Sequence, residues 1–252
     1  MRIKASVATI LLLVLAAMIS TVSAATPGQI SAQANGNADL ELTVLKAQVE
    51  QLEAALAQDD PLGAAKAWAN AVKRRNGAWQ YALMTPELRA EHHRQLAENN
   101  WSTGTSRPWI QGFTVVERDK VDPETFIYDV NYVYTDSTGT TFNVRETVVV
   151  KESEGKWLVA AVESAPDICG QISEITTLDG RTRIFVEDKK GVSPYDKAYV
   201  FITEETTIFA GRTDQVVPLD QLKVGSRVEV IFSCPALKSY PIQVGAGTIR
   251  VF

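Results

Sequence analysis

The apolar residues change period once, at "SRPW" (106–109), and that change constrains the fold more than any other feature. Before it they recur every three or four residues, the mark of helices with one buried face. Leu42, Leu45, Val49, Leu52 and Leu56 form a heptad-like stripe in an amphipathic helix expected over 38–58. A stripe of two to three heptads needs tertiary support, so it either pairs two copies of the protein or packs on its own domain. Asp59 or Asp60 before Pro61 starts a second helix, an acidic cap followed by proline in the first turn. Leu62, Ala65, Trp68, Ala69 and Val72 fall on one face of it. Asn76-Gly77 ends this helix, a short one follows with Trp79, Tyr81 and Leu83, and Thr85 caps a third at "TPE".

Beyond Pro108 apolar and polar residues alternate. Strands are expected over 109–118, 125–135, 141–152 and 156–164, with turns at "TDSTGT" and "ESEGK". Residues 59–166 therefore read as an α+β domain, helices packed on one face of a curved antiparallel sheet. From 167 to 252 the pattern is all strand. "ICGQISEITTL" and "RTRIFVEDKK" flank the hairpin signal Asp179-Gly180, and "KAYVFIT", "SRVEVIFSC" and "AGTIRVF" complete about five strands. With "VPLDQLKVG" as a short helical turn, this fits a small, partly open Greek-key barrel of the OB-like kind.

The N-terminus sets the expected address. "MRIKASVATILLLVLAAMISTVSAA" has Arg2 and Lys4, an apolar run too short for a comfortable membrane span, and small residues before a cut at Ala24/Ala25. Residues 1–24 are thus expected to be a secretory signal peptide, the alternative being an uncleaved anchor, and the polar stretch 25–37 a linker. No later segment is apolar enough to span a membrane. Loss of Arg2 and Lys4 leaves 23 basic against 30 acidic residues, a net of −7. Nucleic-acid binding rests on neutralising phosphates, so an acidic exported chain argues against it. Cys169 and Cys234 are the only cysteines, and export favours a disulfide between them over two free buried thiols.

With "AAKAWANAVKRRNGAWQYALMTPELRAE", "GFTVVE" and the strands ending in "GKWLV", the first half resembles the nuclear transport factor 2-like superfamily, in particular its small secreted bacterial members. The second half, through "VPLDQLKVGSRVEVIFSC", "SYPIQVGAGTIRVF" and "GQISEI", looks like a small secreted barrel domain of unknown function from Gram-positive bacteria. The first resemblance implies a cone-shaped fold that hosts isomerases, dehydratases and cyclases as well as non-catalytic binding domains. Function must then come from the site. No catalytic motif of either family matches this sequence.

His92 and His93 are the only histidines. Adjacent helical positions point about 100° apart and cannot share one metal as an i, i+4 pair does. No cysteine or further histidine completes a zinc site. Among Glu87, Arg89, Glu91 and Arg94 they read as a solvated helix surface, or as a single general base on a cavity rim. The sheet offers more. Phe126, Tyr128, Val130, Tyr132 and Tyr134 share one face of a strand, and Glu146 interrupts the apolar set Phe142, Val144, Val148 and Val150. A carboxylate in apolar surroundings has its charged form disfavoured and suits acid/base work. Tyr81, Trp101 and Trp109 would help close a pocket with Tyr128, Tyr132 and Glu146. Against this stands a structural reading, in which Glu146 pairs across the sheet or reaches its edge and the tyrosines are core and dimer surface.

The chain is expected to be an exported, non-enzymatic binding or assembly module of the cell envelope or extracellular space. Its partner would be a second copy, joined through the amphipathic helix or the exposed side of the first sheet, an unknown envelope protein or a small molecule. The alternatives are an isomerase- or hydratase-like enzyme using Glu146, and a binder of cell-wall glycan through the barrel. No cofactor and no metal is implied.

Overall fold

A computed structural model describes residues 27–178 and 180–252, with side chains from residue 38 onward apart from Leu178. The expected signal peptide lies outside the described residues. The chain divides into two compact units, a first ending at Leu52 and a second from Glu53 to Phe252.

Helix α1 runs from Pro27 to Leu56. The stretch 25–37, expected to be a linker, is therefore helical from Pro27 on. Proline is tolerated in a first helical turn. A helix already nucleated over 38–56 also extends at one hydrogen bond per added residue, which outweighs the modest propensity cost of Gly36. Leu42, Leu45, Val49 and Leu52 are all more than half exposed.

The second unit begins with three short helices, α2 (Pro61–Lys73), α3 (Gly77–Ala82) and α4 (Pro86–Glu98). The expected caps are in place: Asp60 accepts from the Gly63 amide at 2.7 Å and Thr85 from that of Leu88 at 3.5 Å, while Asn76 accepts from that of Trp79 at 2.9 Å. Four strands follow as an antiparallel meander, β1 (Trp109–Asp122), β2 (Thr125–Thr135), β3 (Thr141–Ser153) and β4 (Lys156–Ser164). Three register shifts in β1 bend its pairing with β2, as bulges do. The helices bury Ala65, Trp68, Ala69 and Leu83 against Tyr128, Val130, Tyr132, Val148 and Val150, the expected inward face.

The remainder is a closed five-stranded barrel. Strands β5 (Ile168–Leu178), β6 (Arg181–Glu187), β7 (Lys197–Ile202), β9 (Arg227–Phe232) and β10 (Ile242–Val251) close in the order β5-β6-β7-β10-β9-β5, with β7 and β10 parallel. This is compatible with the OB-like barrel expected. A sixth strand absent from the sequence reading, β8 (Thr207–Ala210), lies parallel to the end of β10. Closure pairs both edges of each of the five barrel strands, and β8 covers the end of β10. The interior is Ile168, Ile172, Ile184, Val186, Val200, Val228, Val230 and Ile249. Barrel closure depends on Gly170, where a Cβ would sit 2.2 Å from the Glu187 carbonyl oxygen. The β5–β6 hairpin closes with Leu178 paired to Arg181; Asp179 of the expected turn lies outside the described residues.

The ladder also corrects the disulfide. Cys169 is buried opposite Glu229, whereas Cys234 is exposed beyond the end of β9, and both thiols are free. Five residues past Glu229, at about 3.3 Å per residue, puts Cys234 on the order of 15 Å from Cys169, out of reach of a bridge. Among the described residues no helix is long and apolar enough to cross a membrane.

Sheet and barrel meet through charge. Arg118 of β1, only 4% exposed, lies 3.1 Å from Asp129 of β2 and 3.5 Å from Glu229 of β9. Arg212 makes two hydrogen bonds to Glu229, at 2.8 and 2.9 Å, and reaches Glu163 of β4 at 3.4 Å. Asp119 meets Arg227 at 2.5 Å and Lys190 at 3.6 Å. Burial works against the charged form of Asp119, but these cations outweigh it and hold its carboxyl below the usual range. This junction corrects the expectation of a free outer sheet face for dimerisation: Asp129 and Thr147 on that face are buried.

Candidate functional site

Glu146 is half-buried near the middle of the meander, opposite Val130 of β2 and Ser164 of β4. Its position is dictated by the alternation of β3, which turns Glu146, Val148 and Val150 toward the helices. Its carboxylate Oε1 accepts from the Tyr132 hydroxyl at 2.5 Å and from Trp68 Nε1 at 2.9 Å. The three residues come from β3, β2 and α2, so the group ties the first helix of this unit to the sheet. Burial pushes the Glu146 carboxyl above the usual carboxylate range, and the two hydrogen bonds pull it only part of the way back. Burial and the neighbouring carboxylate push the Tyr132 hydroxyl far up, so it stays a donor. Both recorded bonds fall on Oε1; Oε2 accepts none among the described residues.

A raised carboxyl has a definite consequence for stability. The folded form holds its proton more tightly than the unfolded form, whose pKa is near 4.5. Its stabilising contribution is therefore complete below that value and is lost as pH rises through the folded pKa. Glu146→Gln keeps an acceptor for Tyr132 and Trp68 without the charge. In urea unfolding from pH 4 to 8, the wild-type protein should lose stability relative to the variant as pH rises. Parallel pH profiles would contradict this.

The other sequence candidates do not converge on one pocket. Tyr128 and Tyr132 are each 1% exposed, in the core beneath the helices. Tyr81 and Trp101 stand edge to face at 5.2 Å, with His93 at 5.7 Å from Tyr81, and the Arg89 guanidinium lies 5.1 Å from the Tyr81 ring centre. Trp109, at the start of β1, is 41% exposed and pairs with no ring among the described residues. The two histidines diverge as adjacent helical residues must. His93 joins the aromatic group, while His92 lines a cleft.

That cleft, about 520 Å³, runs between α4, the 99–105 segment and the end of β4. Trp68, Met84, Leu88, Leu96 and Val162 supply its apolar wall. The polar wall is His92, Gln95, Asn99, Ser102 and Thr103, with Gln80, which donates to the Thr103 hydroxyl at 2.7 Å. Among the described residues no Asp, Glu, Lys or Arg lines it. Trp68 alone belongs both to the cleft and to the Glu146 group, since its Nε1 points at Glu146. The sequence reading missed this site apart from His92 on a rim. Its one signal was the density of amides and hydroxyls in "QLAENNWSTGT" directly after a helix. Among the described residues no group of three His, Cys, Asp or Glu side chains is arranged to hold a metal. No protein-family model matches the chain, and no curated protein or solved structure matches it either.

Proposed function

We propose that the protein is an exported, non-enzymatic binding module that takes an uncharged, hydroxyl- and amide-rich ligand of glycan type in the cleft beside α4. The observation that carries this is the cleft's lining: carboxamides, hydroxyls and an imidazole on one wall, an indole and aliphatic side chains on the other, and no fixed charge among the described residues. Such a wall exchanges hydrogen bonds with sugar hydroxyls and acetamido groups, and the apolar wall accepts the C–H face of a ring. A charged ligand would lose its hydration there and gain no counter-charge. Export rests on the N-terminal sequence. Membership of the nuclear transport factor 2-like superfamily for the first half, and of the Gram-positive barrel family for the second, belongs to the same proposal; the order of helices, meander and barrel supports it. The barrel-borne glycan site is the less favoured version, since Tyr240, its most exposed tyrosine, spends its hydroxyl on Asp196 at 2.9 Å.

Calorimetric titration with neutral chito-oligosaccharides tests the reading. Saturable binding is expected, weakened about tenfold by Gln95→Ala or His92→Ala, a loss of about 1.4 kcal/mol, with unchanged thermal stability. The absence of saturable binding to any neutral saccharide would overturn it.

One observation favours a second reading, an acid/base enzyme: the raised carboxyl of Glu146 and its uncommitted Oε2. In that case Glu146→Gln reproduces the phenotype of deleting the gene. A normal phenotype in that variant removes the enzyme reading and leaves the binding module intact.

A further inference from the structure

The exposed seam of α1 has a spacing and a charge pattern that fit a particular occupant. Leu42, Leu45, Val49 and Leu52 are separated by three, four and three residues, which are successive a, d, a and d positions of a heptad. All four lie between 51 and 58% exposed. In this register Glu41 is a g residue and Lys46 the e residue five positions on. When two such helices run parallel, each g residue faces the e residue five positions later on its partner. Glu41 then meets Lys46 of the second copy, and symmetry repeats the pair.

The antiparallel arrangement lacks this match. There e faces e, and Lys46 would have to find Glu53, whose carboxylate is held by Arg89 at 2.8 Å. The side chains within the seam agree with the charges, since β-branched Val49 at an a position with Leu45 and Leu52 at d favours two parallel strands. We propose that α1 pairs with α1 of a second copy of this chain as a parallel two-stranded coiled coil, with Leu45 against Leu45 and Leu52 against Leu52. A consequence, resting on the binding reading given above, is that the dimer carries two clefts and gains avidity on a repetitive ligand. The pairing itself needs no ligand.

The seam is short, and coiled coils of this length dissociate on dilution. The test uses the purified protein in a Cys234→Ser background, which removes the exposed native thiol and leaves Cys169 buried. Leu45→Cys in that background should form a covalent dimer under mild oxidation, because only parallel, in-register pairing brings the two copies of position 45 together. Sedimentation over a dilution series should show a monomer–dimer equilibrium. Glu41→Lys should weaken it about tenfold, by replacing two attractive pairs with two repulsive ones, and adding Lys46→Glu should restore it. These positions are exposed, and an unchanged circular dichroism melt would verify that the variants fold. A monomer at every concentration overturns the proposal. So does cross-linking of Leu45→Cys chains that occurs only with Val49→Cys or Leu56→Cys chains, which reports antiparallel pairing, where a positions face d positions. Failure of the double charge reversal to restore the dimer overturns it as well.

Discussion

Arg118→Ala should destabilise the protein by about 3 kcal/mol, measured as the shift in a guanidinium unfolding curve. The guanidinium is buried between two carboxylates on different parts of the unit, Asp129 in the meander and Glu229 in the barrel. Alanine would leave both acids with less counter-charge than their burial requires, and breaking a buried pair in this way costs about 3–5 kcal/mol. The lower end applies, because each acid keeps a second cation: Arg145 lies 3.3 Å from Asp129, and Arg212 bonds Glu229 through both oxygens. Nε and Nη2 of Arg118 also find no hydrogen-bond partner among the described residues, so the site is imperfectly satisfied even when intact. The triple variant Arg118→Met, Asp129→Asn, Glu229→Gln should therefore regain most of the loss, since neutralising a whole network removes the desolvation penalty along with the attraction. A cost under about 1 kcal/mol for Arg118→Ala would mean that solvent reaches the junction and screens it.

The same junction shows where sequence reasoning stops. Tyr128, Val130 and Tyr132 were legible as one face of β2 because a two-residue period on a strand fixes which side chains share a face, but that period does not say whether the face is pocket or core. Thr85 and Asp60 were legible as caps because their chemistry acts within three residues. No local pattern in the sequence marks Arg118, Asp129 or Glu229, and only the docking of the barrel on the second sheet face makes them a buried network. Their partners lie up to 111 residues away, beyond any periodicity. Strand β8 escaped because "TIFA" is too short to show alternation and is held by parallel pairing to β10 rather than by a hairpin. The cysteines misled for a related reason: an expectation of export argues for a bridge on composition, but the register of β5 on β9 decides reach. The cleft was hidden because its polar wall mixes α4 with the 99–105 segment, and a lone Gln or Asn on a helix has an ordinary solvated reading. His92 carried the same ambiguity until the turn of α4 separated it from His93.

Trp68 is the residue in which scaffold and cleft are hardest to separate, and two substitutions divide them. It is 5% exposed, fills the space between α2 and the sheet, and donates to Glu146 at 2.9 Å. Trp68→Ala removes the largest side chain of α2 from a packed interior, which costs about 3–5 kcal/mol in transfer and cavity terms. It also leaves Glu146 with Tyr132 as its one donor. Trp68→Phe keeps most of the volume and loses chiefly the hydrogen bond, a loss of about 1 kcal/mol. Unfolding curves should therefore order wild type, Trp68→Phe and Trp68→Ala with the larger gap at the second step. If the two gaps are equal, the Glu146 bond rather than packing holds α2 on the sheet. In the Glu146→Gln background the phenylalanine variant should cost measurably less, because a neutral acceptor gains less from the indole N–H than a carboxylate does. Ligand binding then decides the remaining question. The edge that lines the cleft is lost in both variants, whereas the fold is largely kept in Trp68→Phe. Weakened saccharide binding by a stable Trp68→Phe protein assigns the indole to ligand recognition; unchanged binding assigns it to the scaffold alone, with the amides of α4 carrying the cleft.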